Sequence, residues 1–202
     1  MIATSMNQAG TILVGYVGDV FWVRVDGRAT FQNSPEIRAC LVAEIEQGTE
    51  HIVIDLEQCT MMDSTFLGTL AGTGLRLQGL SRPALQLVNP NTRNRQLLRN
   101  LGLDHILEVD DQGTAWSAQR RVVSGELSAL PSSAAPAETS KQERAAVVLE
   151  AHQALGEANP NNIPRFRDVV RYLEDEVRQR RMPDREDTPA GAESAGPAWR
   201  NS

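Results

Sequence analysis

Residues 51–77 read HIVIDLEQCTMMDSTFLGTLAGTGLRL, and they predict a strand, a loop and a helix in that order. Residues 51–56 are a dense β-branched run, as expected of a central strand that is covered on both faces. From Ser64 onward the apolar residues recur at helical spacing. Because Asp63 and Ser64 start that helix, their side chains lie beside unpaired backbone N–H groups and the positive end of the helix dipole. Ser64 is therefore a candidate switch residue.

The segments around this stretch alternate between strand and helix patterns. Predicted strands cover residues 11–16, 20–25, 51–56, 84–88 and 106–109, and predicted helices begin near Pro35, Ser64, Thr92 and Thr114. This order predicts one α/β domain over residues 11–121, with a mixed β-sheet of four to five strands and packed helices. In the second strand Phe21, Val23 and Val25 alternate with polar positions and Trp22, which predicts one buried face.

The helix after Ser64 contains three glycines, Gly68, Gly72 and Gly74. Each costs about 1 kcal/mol relative to Ala in a helix interior, so another effect must favour them. Two explanations stay open. The helix approaches the sheet closely at these positions, or it presents a smooth surface to a partner protein.

Composition excludes several classes of function. The net charge is −6, and residues 1–116 hold 8 Lys and Arg against 13 Asp and Glu, so we expect no direct nucleic-acid binding. No stretch is apolar for the roughly 18 residues that a membrane span needs, and the N-terminus lacks a signal-peptide pattern, which predicts a cytoplasmic protein. Cys40 and Cys59 sit in no metal-ligand spacing, and we assign no metal and no cofactor.

The rest of the chain differs in composition from the predicted domain. We expect an irregular leader over residues 1–10, a Ser/Ala/Pro-rich linker over residues 122–140 and a disordered tail over residues 182–202. Residues 141–181 return to amphipathic helical patterns interrupted by a Gly/Asn/Pro turn, which predicts a C-terminal αα-hairpin. About 40 residues form a marginal core alone, so the hairpin docks on the first domain, dimerises or folds on a partner.

A family resemblance covers residues 10–116. The run Val53-Ile54-Asp55-Leu56, followed after a spacer by residues 62–70, MDSTFLGTL, resembles the signature of STAS-domain proteins, specifically bacterial anti-sigma factor antagonists. The strand-Asp-Gly element at residues 23–28 and residues 89–102 fall where that family has corresponding segments. The resemblance implies a STAS-like fold.

The resemblance also implies a function. In that family the serine after the aspartate is phosphorylated by a serine kinase that is also an anti-sigma factor, of the histidine-kinase-like ATPase type. The unphosphorylated antagonist binds this partner and frees a sigma factor, and a serine phosphatase resets the cycle. Carried over by position, Ser64 is the phosphate acceptor and Thr65 the second choice. The implied partner-binding residues are Asp26, Asp63, Ser64, Thr65, Phe66 and Gly68.

Three other interpretations remain beside this one. Asp63, Ser64 and Thr65 are also residues that simply cap a helix, and capping and switching can coexist. The chain could instead be a non-phosphorylated STAS scaffold subunit of a signalling or transport assembly. An enzyme is least favoured, because residues 62–66 form no GxSxG elbow with a placed histidine, and no spacing makes Asp55 and Asp63 a catalytic pair. Phe66 replaces a small residue of the family, and its ring either shapes a different partner surface or packs inward.

Overall fold

The computed structural model describes residues 9–130 and 141–179. The strands are β1 (Thr11–Val17), β2 (Val20–Ala29), β3 (His51–Asp55), β4 (Cys59–Met62), β5 (Gln86–Val88), β6 (Glu108–Val109) and β7 (Ser128–Ala129). The helices are α1 (Ser34–Gln47), α2 (Ser64–Gly79), α3 (Thr92–Asn100), α4 (Ser117–Val122), α5 (Lys141–Ala158) and α6 (Ile163–Gln179). Short 3₁₀ turns lie at Leu103–His105, Val123–Gly125 and Pro160–Asn162.

The predicted α/β class with a mixed sheet and a C-terminal helical extension is confirmed. The strands follow the order β6-β5-β3-β2-β1-β7, and β3 is central. The β1–β2 and β1–β7 pairs are antiparallel, whereas β2–β3, β3–β5 and β5–β6 are parallel. Seven strands are present in the described residues, rather than four to five.

The two unpredicted strands are short and depend on neighbours for their pairing. Strand β4 lies in the segment expected to be a loop, where it runs parallel to the last residues of β2 after a bulge between Gly27 and Arg28. Strand β7 adds to the free edge of β1, with Ser128 opposite Val14. Neither segment shows the apolar run that marks residues 84–88 and 106–109 as strands, so the sequence alone does not indicate them.

The main hydrophobic core lies between the sheet and helices α1, α2, α3 and α5. Alternate residues of β2 and β3 point into it, including Val23 and Ile54, and α2 contributes Phe66 and Leu70, all with no exposed surface. Helix α1 is capped at its C-terminus by Gly48, which has a left-handed φ of 89°. The Gly48 N–H donates a hydrogen bond to the last turn of the helix. Because Phe66 and Leu70 are buried in this core, α2 is packed tightly on the sheet.

The expectation that β2 has one buried face is wrong. Trp22, placed among the outward residues, has no exposed surface and packs with Val20 and Val53 in a second cluster on the other side of the sheet. Val123 and Trp116, which follow β6 in the chain, cover this side. Residues 115–127 therefore close the sheet's second face, which the alternation in β2 does not reveal.

The first part of the range predicted as a linker, residues 122–140, is ordered structure. Residues 123–130 form a 3₁₀ turn and strand β7, and the Leu130 N–H donates to the Ile12 carbonyl at 2.8 Å. The segment is held because it completes the sheet edge and covers Trp22. The predicted leader lies largely outside the described residues, as do residues 131–140 and the predicted tail.

The predicted hairpin corresponds to α5 and α6, and it docks on the first domain. Helix α5 lies along α2, and Leu155, fully buried, joins the main core. The Asn162 side chain donates to the carbonyls of Leu101 and Leu155 at 3.0 and 2.8 Å. The sequence left three possibilities for the hairpin, and the structure shows one of them, docking on the first domain. Within the described ranges, no helix has the length and apolar content to cross a membrane.

Candidate functional site

Asp63 shapes the junction that carries Ser64. Its carboxylate Oδ1 accepts from the Phe66 N–H at 2.9 Å, so Asp63 is the N-cap of α2. The other oxygen, Oδ2, accepts from the Phe31 N–H at 2.8 Å. The Asp63 N–H donates to the Ala29 carbonyl at 3.0 Å and ties the junction to the end of β2. The predicted capping role is thus filled by Asp63, and Ser64 is left as the first residue of the helix.

The Ser64 hydroxyl is half-buried and contacts a histidine from the C-terminal hairpin. Its Oγ lies 3.1 Å from Nε2 of His152, on α5. The other ring nitrogen, Nδ1, lies 2.7 Å from the Val148 carbonyl, which only accepts hydrogen bonds. In a neutral imidazole Nδ1 therefore carries the proton, Nε2 accepts, and the Ser64 hydroxyl donates. His152 is 5% exposed, and its ring packs edge-on against Phe166 at 5.1 Å between centroids.

This histidine corrects the sequence-based expectation that none is placed against Ser64. His152 belongs to the apolar stripe of α5, together with Ala145, Val148 and Leu155. A histidine among the apolar positions of a helix indicates from the sequence that a polar side chain is buried there. The periodicity of α5 does not tell which surface the stripe meets, so the pairing with Ser64 needed the structure.

Of the three α2 glycines singled out in the sequence, two lie directly under α5. A Cβ at Gly68 would stand 2.2 Å from the Ala151 carbonyl oxygen, and one at Gly72 would stand 3.6 Å from the Ala154 Cβ. Gly74 faces Leu107 and Ile106 instead. The close approach expected at these positions is therefore made by a helix of the same chain at Gly68 and Gly72, and not by the sheet. An exposed ion pair, Arg38–Glu150 at 2.6 Å, links α1 to α5.

The remaining predicted partner-binding residues are less available. Thr65 is 4% exposed, so the half-buried Ser64 is the more accessible hydroxyl of the two. Phe66 has no exposed surface, which decides between its two interpretations: the ring packs inward and cannot form a partner surface. The parallel pairing of β2 with β4 begins at Gly27 and Cys59 and ends at Ala29 and Met62. Asp26 lies just before the beginning of this pairing, whereas Ser64 lies just after its end. Asp26 is therefore not part of the cluster around Ser64.

Asp55 has a structural environment of its own. Its side chain is 2% exposed and forms an ion pair with Arg24 at 3.3 Å. It also accepts hydrogen bonds from Asn89 Nδ2 at 2.9 Å, the Glu57 N–H at 3.1 Å and Trp22 Nε1 at 3.4 Å. These donors hold the carboxyl ends of the central strands together. The bonds of Asp63 go to other groups, so the hydrogen bonds given for the two carboxylates share no partner.

The pKa values of both cysteine thiols are raised above their ordinary range. Burial raises the pKa of Cys59 to about 11, and burial together with the nearby Glu44 charge raises the pKa of Cys40 to about 11. Cys59 is buried and Cys40 is half-buried, and neither is in a disulfide. Across residues 9–130 and 141–179, no three His, Cys, Asp or Glu side chains cluster as metal ligands.

Comparison with known proteins identifies the first domain. The family model of the STAS domain matches residues 12–113, which is half of the chain. Proteins named anti-sigma-B factor antagonist from several strains of Staphylococcus aureus are 29% identical to the chain over 89 residues, covering 44% of this chain and 82% of theirs. The family match ends before the C-terminal hairpin.

Solved structures of anti-sigma factor antagonists also resemble part of the chain. An anti-sigma factor antagonist from Mycobacterium paratuberculosis has a TM-score of 0.49 at 21% identity, covering 60% of this chain and 99% of that one. The Bacillus cell fate determinant SpoIIAA in its phosphorylated form has a TM-score of 0.44 at 24% identity, covering 55% and 98%. The sequence match over residues 12–113 carries the assignment, and it agrees with the strand and helix order observed there. The chain belongs to the STAS domain family and has anti-sigma-B factor antagonists among its homologues.

Proposed function

We propose that this protein is a phosphorylation-controlled binding module of a partner-switching pathway. Its unphosphorylated form binds a serine kinase of the histidine-kinase-like ATPase type that doubles as an anti-sigma factor, and so frees a sigma factor or equivalent regulator. Phosphorylation of Ser64 blocks this binding, and a serine phosphatase reverses it. The observation that supports the proposal most is the position of Ser64, half-buried as the first residue of a helix whose cap is already supplied by Asp63.

The physical chemistry of that position fits a phosphate. A phosphoserine adds about −1.5 to −2 charges and three acceptor oxygens. At Ser64 the first-turn N–H groups and the helix dipole of α2 favour negative charge, so the domain keeps its fold when modified. The new charge stands beside Asp63, where it repels an acidic partner surface or must be desolvated on binding. A loss of about 1.4 kcal/mol already weakens binding tenfold.

The test combines phosphate mapping with binding measurements. The full chain is incubated with ATP and each histidine-kinase-like ATPase of the same organism, and the modified residue is identified by mass spectrometry. We expect label on Ser64, not on the buried Thr65. Ser64→Ala should bind the kinase regardless of ATP, and Ser64→Asp should bind at least about tenfold more weakly.

A matched control separates the position from the charge. Ser117 is exposed and is also the first residue of a helix, α4. Ser117→Asp adds the same charge and should leave kinase binding unchanged. Phosphorylation confined to other residues with every cognate kinase would refute the switch.

The proposal also predicts no intrinsic catalysis, because the Phe66 amide that could stabilise an oxyanion at this helix start is already bonded to Asp63.

A scaffold subunit that works without phosphorylation is the second candidate. It is favoured by three apolar side chains of α6 that point outward, Ile163, Val169 and Tyr172, which are 55%, 42% and 65% exposed. Such residues can recruit another chain. This candidate is preferred if Ser64→Asp changes no interaction while deletion of residues 141–181 abolishes them all.

A further inference from the structure

We infer that α5 is an internal cover for the partner-binding surface of α2, so that the α5–α6 hairpin must move away before a kinase can engage Ser64. The inference rests on the proposed function and adds its regulation. The surface concerned consists of the Ser64 hydroxyl and the face of α2 at Gly68 and Gly72. It is a surface shaped for a helix, and in this structure the chain supplies that helix itself.

The fit between the two helices is the first support. Ala151 lies over Gly68 and Ala154 lies over Gly72, and both alanines are less than 9% exposed. At Gly68 the approach leaves no room for a single methyl group, since a Cβ there would be 2.2 Å from backbone. Any partner element that reaches this face must occupy the space of α5. Binding of the partner and docking of α5 are therefore mutually exclusive at Gly68.

The contact with the hydroxyl is the second support. Phosphorylation forms a bond between Ser64 Oγ and the terminal phosphorus of ATP while the bond from that phosphorus to the ADP oxygen breaks, and the hydroxyl proton passes to a base of the kinase. In the docked state that proton is donated to His152 Nε2, 3.1 Å away, and the ring is fixed by Val148 and Phe166. The imidazole thus stands against the atom that a kinase must reach. A kinase active site has to enclose that atom, and α5 lies in its way.

The interface is built mostly from small side chains, so release breaks few large apolar contacts, together with the buried Asn162 bond to the Leu101 carbonyl. At the Gly68 and Gly72 contacts α5 contributes only the small side chains of Ala151 and Ala154, and Leu155 is its fully buried large one. The Arg38–Glu150 pair is exposed and adds little. Residues 131–140 connect the hairpin to β7, and ten residues can reach at most about 35 Å. The hairpin can therefore leave α2 while β7 remains in the sheet.

The experiment compares a locked and an opened form of the full chain. For the lock, Gly72→Cys is combined with Ala154→Cys, because the Cβ separation of 3.6 Å at this pair of positions lies in the range of disulfides. For the opened form, Ala151→Arg places a long charged side chain against Gly68. Gln153→Arg adds the same charge to the exposed side of α5 and is the matched control.

A first measurement needs no kinase. Ser64→Cys is combined with Ala151→Arg or with Gln153→Arg, and the rate of thiol labelling at position 64 is measured. The native thiols, Cys40 and Cys59, contribute little labelling because their pKa is raised to about 11. We expect labelling roughly tenfold faster with Ala151→Arg than with Gln153→Arg, as for a site exposed by local opening. Equal rates overturn the cover.

The second measurement uses the cognate kinase on proteins that retain Ser64. Oxidation of the engineered disulfide between positions 72 and 154 should slow phosphorylation at least about tenfold, and reduction of the same sample should restore it. Equal rates in the oxidised and reduced protein overturn the inference. If no form is phosphorylated while labelling still responds to Ala151→Arg, the proposed switch fails and the cover stands.

Discussion

At the scale of single residues, Asp110 shows how one carboxylate organises a loop. Its Oδ1 accepts from the Gly113 N–H at 2.9 Å, and its Oδ2 accepts from the Ala115 N–H at 3.1 Å and from Arg120 at 2.6 Å. Burial raises the pKa of Asp110, but the bonds from Ala115, Thr114 and Arg120 outweigh it, and the pKa is lowered overall. The charged form is thus the one that holds residues 110–120 over the second face of the sheet.

A pH-dependent contribution to stability follows from that shift. Because the folded pKa lies below the unfolded value of about 3.9, the contribution is fully present above that value and is lost as pH falls through the folded pKa. Asp110→Asn should lower the free energy of unfolding by about 1.5–3 kcal/mol at pH 7, and the difference from wild type should shrink as the pH is lowered towards about 3. Urea unfolding at several pH values measures both.

The neighbouring aspartate is the control. Asp111 pairs with Arg95 and Arg99 at the surface, 43% exposed, so Asp111→Asn should change stability by less than about 1 kcal/mol. A constant difference between wild type and Asp110→Asn over the whole range from about pH 7 to about pH 3 would contradict the assignment of the shift to Asp110.

At the scale of elements, Gly68 and Gly72 of α2 lie where a neighbouring helix contacts α2 closely. Gly68→Ala should gain helix propensity of about 1 kcal/mol, yet its methyl group meets the Ala151 backbone, which cannot rotate away. We therefore expect a net loss of about 1–3 kcal/mol in unfolding free energy, with NMR signals of α5 shifted. Gly79→Ala, in the same helix with no heavy atom within 4 Å, should be neutral or stabilising.

If Gly68→Ala stabilised the chain as Gly79→Ala does, α5 could not be in contact with α2 in solution. Urea unfolding of the two variants in parallel distinguishes these outcomes. The pair is informative because both substitutions add a methyl group to the same helix, Gly68 in its interior against α5 and Gly79 at its last residue with no heavy atom within 4 Å.

The elements also show what the sequence can reveal about fold and site. Residues with strong periodicity, such as Val53 in β3 and Leu70 in α2, lie in elements predicted close to their observed bounds, and the Asp63-Ser64 junction is identifiable because cap and helix pattern coincide. Strand β4 and the burial of Trp22 escape prediction, since both depend on partners distant in sequence. The sequence places His152 in a stripe but not beside Ser64, because docking is a tertiary property.

At the scale of the whole molecule, the STAS domain and the hairpin share a core yet are built differently. The central strand β3 is covered on both faces by large side chains. The hairpin joins that core through the buried Ala154 and Leu155, with Ala158 and Phe166 partly buried against it, and α6 remains largely exposed. Elements with few buried apolar contacts open with lower free energies than the centre of a domain. The hairpin is thus the part of the described structure best suited to move as a unit.

Native-state hydrogen exchange tests this difference directly. Amides of α5 and α6 should exchange through an opening of lower free energy than amides of β3. Leu155→Ala removes the one large side chain of α5 with no exposed surface, and it should lower the opening free energy of the hairpin by about 2–5 kcal/mol or undock it, leaving β3 unchanged. Val169→Ala, at a 42% exposed position of α6, should have little effect on either. Exchange of α5, α6 and β3 with one common free energy would mean that the hairpin opens only when the whole domain unfolds.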